Sequence, residues 1–199
     1  MTSAMSDFSA LVQVALETGA SAAKVVSVDH VRVEQRLAGL CREPRCPSYG
    51  LAPGCPPHAM SPSAFDDMLA ICVRVLVFKR DIPMKFLYDK RRLEVAKSIH
   101  RIAAQVERAA KKIGYTGASG FAAGSCKELF CPNQEACQVL EAGKSCLHPD
   151  NARPSLSAVG VDVKRLCDAL GWKLVWGDRE TAEKDESQTA LMLGMVLLK

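Results

Sequence analysis

Seven of the nine cysteines in this 199-residue chain fall into two groups, Cys41, Cys46 and Cys55, then Cys126, Cys131, Cys137 and Cys146. Three are followed directly by proline, at Cys46-Pro47, Cys55-Pro56 and Cys131-Pro132. The first group occupies a loop heavy in proline and glycine, from Cys41 to Pro57, where no regular element is expected to persist, and a metal bound by soft thiolates would order it. The chain is long enough for one buried core or two small ones, and its 48% hydrophobic content suits a globular protein. We read it as one domain, residues 1–199.

The spacings are Cys41-x4-Cys46-x8-Cys55 and Cys126-x4-Cys131-x5-Cys137-x8-Cys146. Structural zinc sites usually pair cysteines two to four residues apart. Wider, uneven intervals suit a larger inorganic core, and a proline after a ligand cysteine fixes the chain direction beside it. The seven cysteines are therefore read as metal ligands for iron–sulfur chemistry, with two 4Fe-4S clusters as the expected cofactors and zinc as the alternative. Four thiolates saturate a cubane, whereas three leave one iron without a cysteine, open to a small-molecule substrate or closed by another ligand. His58, His148 and Cys72 are the candidates to close it. Cys72 and Cys167 otherwise read as small buried hydrophobes.

The opening segment has no basic stretch followed by an apolar run and a cleavage site, and no window approaches the ~20 apolar residues of a membrane span. With reduced thiols favoured there, the cytoplasm is the expected location, and no membrane association is expected. The net charge is only +4, yet eleven of the 26 basic residues lie between Lys79 and Lys112. That stripe, residues 79–112, reads as a solvated helix face or a docking surface for a redox partner protein, nucleic acid being the less favoured partner.

Periodicity predicts an amphipathic opening helix through Phe8, Leu11, Val12, Ala15 and Leu16, stopped at Gly19. Strands are expected at 24–36, 71–78, 115–123, 172–176 and 190–198, the last two separated by a polar hairpin or loop. Helices are expected after Ser61-Pro62, over about 89–113, and from Asp162 to Gly171. The order predicts an α+β or α/β fold: one mixed β-sheet covered by helices, with two Cys-rich metal loops emerging from it and meeting in space.

The stretches CREPRCPSYGLAPGCPPH and GSCKELFCPNQEACQVLEAGKSCLHPDNARPS resemble those of a widespread prokaryotic family of uncharacterised predicted metal-binding proteins. The marks are Cys41, Cys46, Tyr49, Gly50, Cys55, Pro56 and Pro57, then a four-Cys loop closing on Cys146, Pro149, Arg153, Pro154 and Ser155. The resemblance implies metal binding and no particular reaction. Many similar proteins space the second set more tightly. Arg153 is a candidate contact for an anion or a cluster.

Overall fold

The computed structural model describes residues 2–185 and 187–199. Helix α1 (Thr2–Glu17) leads to strand β1 (Ala22–Val26), a short helix α2 (Gln35–Gly39) and α3 (Pro62–Ala70). Strand β2 (Arg74–Pro83), the long helix α4 (Arg91–Lys112) and β3 (Ser119–Phe121) follow. Two short helices, α5 (Cys126–Phe130) and α6 (Gln138–Ala142), precede α7 (Val163–Leu170), α8 (Arg179–Lys184) and β4 (Thr189–Leu198).

The strands form one sheet in the order β1-β2-β4-β3. Every pair of these strands is antiparallel, and a single parallel bridge joins Ala122 to Ser155 outside them. Of the two fold classes the sequence leaves open, this is α+β. β2 and β4 pair along ten residues each, from Arg74–Leu198 to Pro83–Thr189. Side chains alternate faces along a strand. Val75, Val77, Leu193, Met195 and Leu197 pack with Phe65 of α3 and Leu166 of α7. On the other face Leu76, Phe78, Val196 and Leu198 meet Leu11 of α1 and Ile99, Ile102 and Val106 of α4. Because both faces are covered, TALMLGMVLL reads as an almost unbroken apolar run rather than an alternating one.

Helix boundaries follow the expected chemistry. Ser61 accepts a hydrogen bond from Ala64 N–H at 3.2 Å, with Pro62 in the first turn. Asp162 caps α7 through Arg165 N–H at 3.0 Å, and Gly171 closes it at φ +68°. Gly194 is required by packing, since a Cβ there would stand 2.3 Å from the Phe78 ring.

Three expectations are revised. The segment 24–36 is a strand only to Val26; a 3-10 turn at Val28–His30 and α2 follow. Val31 and Val33 still point into the core, with Val33 bridging Val161, so their alternation serves packing rather than a ladder. Trp172–Trp176 is irregular: Trp172 is buried between elements, with the Lys24 and Lys79 ammonium groups 6.0 and 5.7 Å from its ring. The polar stretch 177–188 contains α8 instead of a hairpin, and residue 186 within it lies outside the described residues.

Candidate metal centre

The first cysteine loop joins α2 to α3 and folds as a chain of turns. Cys46 N–H donates to Cys41 O at 3.0 Å, Gly50 N–H to Pro56 O at 2.8 Å, and Cys55 N–H to Ala52 O at 3.0 Å. These turns bend the loop so that Cys46 and Cys55 lie within electrostatic reach of Cys41. Burial, then the nearness of Cys46 and Cys55, raises the Cys41 thiol's pKa. Burial raises Cys55 as well, opposed by a hydrogen bond to Ser125 and reinforced by Cys46.

The second loop leaves β3 through Gly124 at φ +81° and enters α5 at Cys126. Cys131 and Cys137 flank the turn between α5 and α6. Lys127 Nζ holds that turn by donating to Cys131 O at 2.9 Å and Gln134 O at 2.6 Å. Cys146 Sγ accepts from His148 N–H at 3.3 Å. The Cys126 thiol is pushed up to about 12, first by burial and then by Cys55, Cys146, Cys137 and Cys131. Cys126 therefore senses its own set and one member of the other.

All four cysteines of this loop line one cavity of about 290 Å³, together with Phe130, His148 and Arg153. Pro53 and Gly54 of the first loop form part of its wall. The two loops are in close contact there, because a Cβ on Gly54 would lie 2.9 Å from Pro154 Cα. They touch again where the Cys55 thiol donates to Ser125 Oγ at 3.3 Å. Ser125 occupies the N-cap position of α5, yet its side chain makes no capping bond. Its hydroxyl is turned to the sulfur instead. Among the described residues no three His, Cys, Asp or Glu side chains converge closely enough to hold a single metal ion.

The other candidates separate clearly. His58 is exposed. His148 sits in the four-cysteine cavity, its ring 5.6 Å from Phe130. Cys72 donates to Met68 O at 3.0 Å from within the core, and Cys167 is fully buried there. Arg153 borders the cavity, but its Nε donates to Glu107 Oε2 at 2.7 Å and its Nη1 to the carbonyls of Pro149 and Ala152. It staples the cysteine loop to α4.

Two residues of α4 that sequence reasoning passed over complete this support. Glu107 also accepts Gly120 N–H at 2.8 Å and pairs with Lys111. Burial would raise its pKa, yet Lys111, Arg153 and the Gly120 N–H together hold it below the usual carboxylate value. Its signal in the sequence is a lone acid within an alanine-rich apolar stripe. His100 is fully buried; its Nδ1 accepts Arg153 N–H at 3.1 Å, and its ring meets Phe130 edge-on at 5.4 Å. Among the described residues its Nε2 has no hydrogen-bond partner. Burial lowers its pKa to about 4; the carbonyls of Ala123, Asn151 and Gly124 oppose that shift, but none closes a hydrogen bond to Nε2.

The sequence profile of a family described as predicted metal-binding protein (DUF2284) matches residues 24–198. The chain belongs to this family. The matched span holds both cysteine loops, strands β2, β3 and β4, and all of β1 but its first two residues. No curated protein and no solved structure matches the chain. Among the described residues of this DUF2284 member, no helix is long and apolar enough to cross a membrane.

Proposed function

We propose that the protein is an iron–sulfur redox protein with two adjacent 4Fe-4S sites. Cys126, Cys131, Cys137 and Cys146 would hold an electron-relay cluster, and Cys41, Cys46 and Cys55 a cluster whose fourth iron is free for a small polarised substrate. The observation that carries this reading is the 3.3 Å contact of Cys55 with Ser125, which sets the three-cysteine loop beside a cavity lined by the four cysteines of the other. The donor set is soft and the four-cysteine loop encloses a cavity of about 290 Å³. A lone zinc with Zn–S bonds of about 2.3 Å would instead draw its sulfurs together around one point. A polynuclear cluster gives each thiolate its own iron, so its ligands stand further apart. When bound, such clusters supply one-electron transfer, and an open iron supplies Lewis acidity.

The chain's own contribution is support. Lys127 and the Arg153–Glu107 pair fix the second loop, and Ser125 joins the two sets. The basic stripe as a partner surface has weaker support, because Lys79, Arg91, Arg92, Lys97 and Lys111 are each in an ion pair. Anaerobic purification followed by iron and sulfide analysis and electron paramagnetic resonance tests the reading. A brown protein with two distinguishable clusters is expected; a colourless one carrying stoichiometric zinc overturns it.

A further inference from the structure

β4 has two edges, and one is only partly used. Met84 N–H donates to Gln188 O in register with the β2–β4 ladder, so the even-numbered residues of β4 bond towards β2. Main-chain groups alternate sides along an antiparallel strand, so the odd-numbered residues turn theirs to the far edge. Gly117 N–H, which donates to Lys199 O, marks that parity. β3 covers this edge only as far as Phe121, opposite Met195. The chain then turns away: Ala122 N–H donates to Pro154 O, and Leu156 N–H donates to Ala122 O. The N–H and C=O of Leu193 and Leu191 therefore face an edge without a strand. Among the described residues no hydrogen bond reaches them on that side.

Leu191 and Leu193 are only 7% and 3% exposed. Main-chain polar groups in such positions are nearly always paired, because leaving one orphaned costs as much as losing a hydrogen bond. These residues line a cavity of about 360 Å³. That volume is in the range of small-molecule sites, roughly 300–1,000 Å³. Met84, Leu87, Leu156, Val163 and Met192 make its walls apolar, and Trp176 stands at its side with 78% of its surface exposed. The Tyr88 hydroxyl on the wall is committed to Gly177 O. Beside the exposed Ser157 on the wall, the polarity left for a ligand is thus the edge of a strand, set between apolar side chains.

We propose that this cavity binds a small, largely apolar molecule carrying a secondary amide. Its N–H and C=O complete the β4 edge at Leu191 and Leu193 as an added strand would, and its body packs between the apolar walls and Trp176. The enclosed size selects a compact molecule over a long peptide. The site shares no lining residue with the four-cysteine cavity and does not depend on a metal. Its inner wall, Ala122–Gly124, is nonetheless the segment that runs into Ser125 and Cys126.

The test uses the isotope-labelled protein and three probes: N-methyl-3-phenylpropanamide, the corresponding methyl ester, and toluene. Saturable shifts of the Leu191 and Leu193 amide signals are expected with the amide, together with a change in tryptophan emission. The ester, lacking the amide N–H, should bind about tenfold more weakly, a factor matching one net hydrogen bond. Toluene should leave the two amide protons unprotected against exchange. Trp176→Ala, at an exposed position, should weaken amide binding while the spectrum of the rest of the protein is kept. Unshifted Leu191 and Leu193 amides at saturating probe, or equal effects from all three probes, overturn the proposal. None of these readouts involves iron, so this result and that of the iron–sulfur test stand apart.

Discussion

The Cys55 thiol lies 3.3 Å from the hydroxyl of Ser125, the residue immediately before Cys126. Through that contact the last cysteine of one loop and the first of the other become neighbours across 70 residues of chain. When Cys55 is a thiolate the direction reverses and Ser125 O–H donates to sulfur, a contact that stabilises the negative ligand. Ser125→Ala should destabilise the metal-free protein by about 1 kcal/mol, read from the denaturant midpoint. In the loaded protein it should perturb the spectrum of the three-cysteine site and leave the other unchanged. Equal perturbation of both sites would contradict the assignment of Ser125 to Cys55.

The three-plus-four division makes a stoichiometric prediction. Replacing Cys41 or Cys46 with alanine should remove one cluster's iron and sulfide, about half the total, and replacing Cys131 or Cys137 should remove the other half. Loss of all iron from either set would mean a single shared site.

Glu107 and Arg153 are 12% and 11% exposed at their side chains and bind at 2.7 Å. Removing one partner of such a pair strands the other in a poorly solvated place. Glu107→Ala should therefore cost about 3 kcal/mol by chemical denaturation. The exposed Lys164–Asp168 pair is the control, and Asp168→Ala should cost under ~1 kcal/mol. Similar losses from the two variants would show that the Glu107 pair is not a buried staple.

His100 makes stability depend on pH in a stated direction. Its folded pKa is lowered to about 4 from the ordinary imidazole value of 6.5, so below pH 6.5 the unfolded chain binds the proton that the folded one refuses. Stability then rises with pH across this window and is lost as pH falls towards 4, by on the order of 3 kcal/mol. Glu107, whose pKa is also lowered, adds loss in the same direction at still lower pH. Denaturant titrations between pH 7 and 4 should show the slope, and His100→Gln should flatten it. An unchanged slope in that variant would move the effect to other groups.

Much of the molecule was legible because local chemistry decides it. Ser61-Pro62 and Asp162 start helices wherever they stand before apolar periodicity, and the stripe of α4 buries Ile99, Ala103, Val106 and Ala110 as its spacing demands. The strand assigned to Trp172–Trp176 failed for the opposite reason. Trp172 and Leu174 pack against the core without gaining a ladder partner and Trp176 is exposed, so an apolar pattern alone does not report pairing. Ser125 and Glu107 carried no strong local signal, since a serine before a cysteine or an acid in a helix is ordinary until its neighbour is known.

The cysteines themselves, their spacing and the prolines beside them were enough to point to metal binding, which the family match supports, because thiolate number and type are properties of the residues. The sequence likewise dictated a sheet with two covered faces, through the apolar run of β4. Only the tertiary structure decided that Cys55 and Cys126 are neighbours, that Arg153 is a staple, and that β3 ends early enough to leave Leu191 and Leu193 facing a cavity. Those relationships join residues far apart in the chain, and they depend on where the sheet and α4 place each loop.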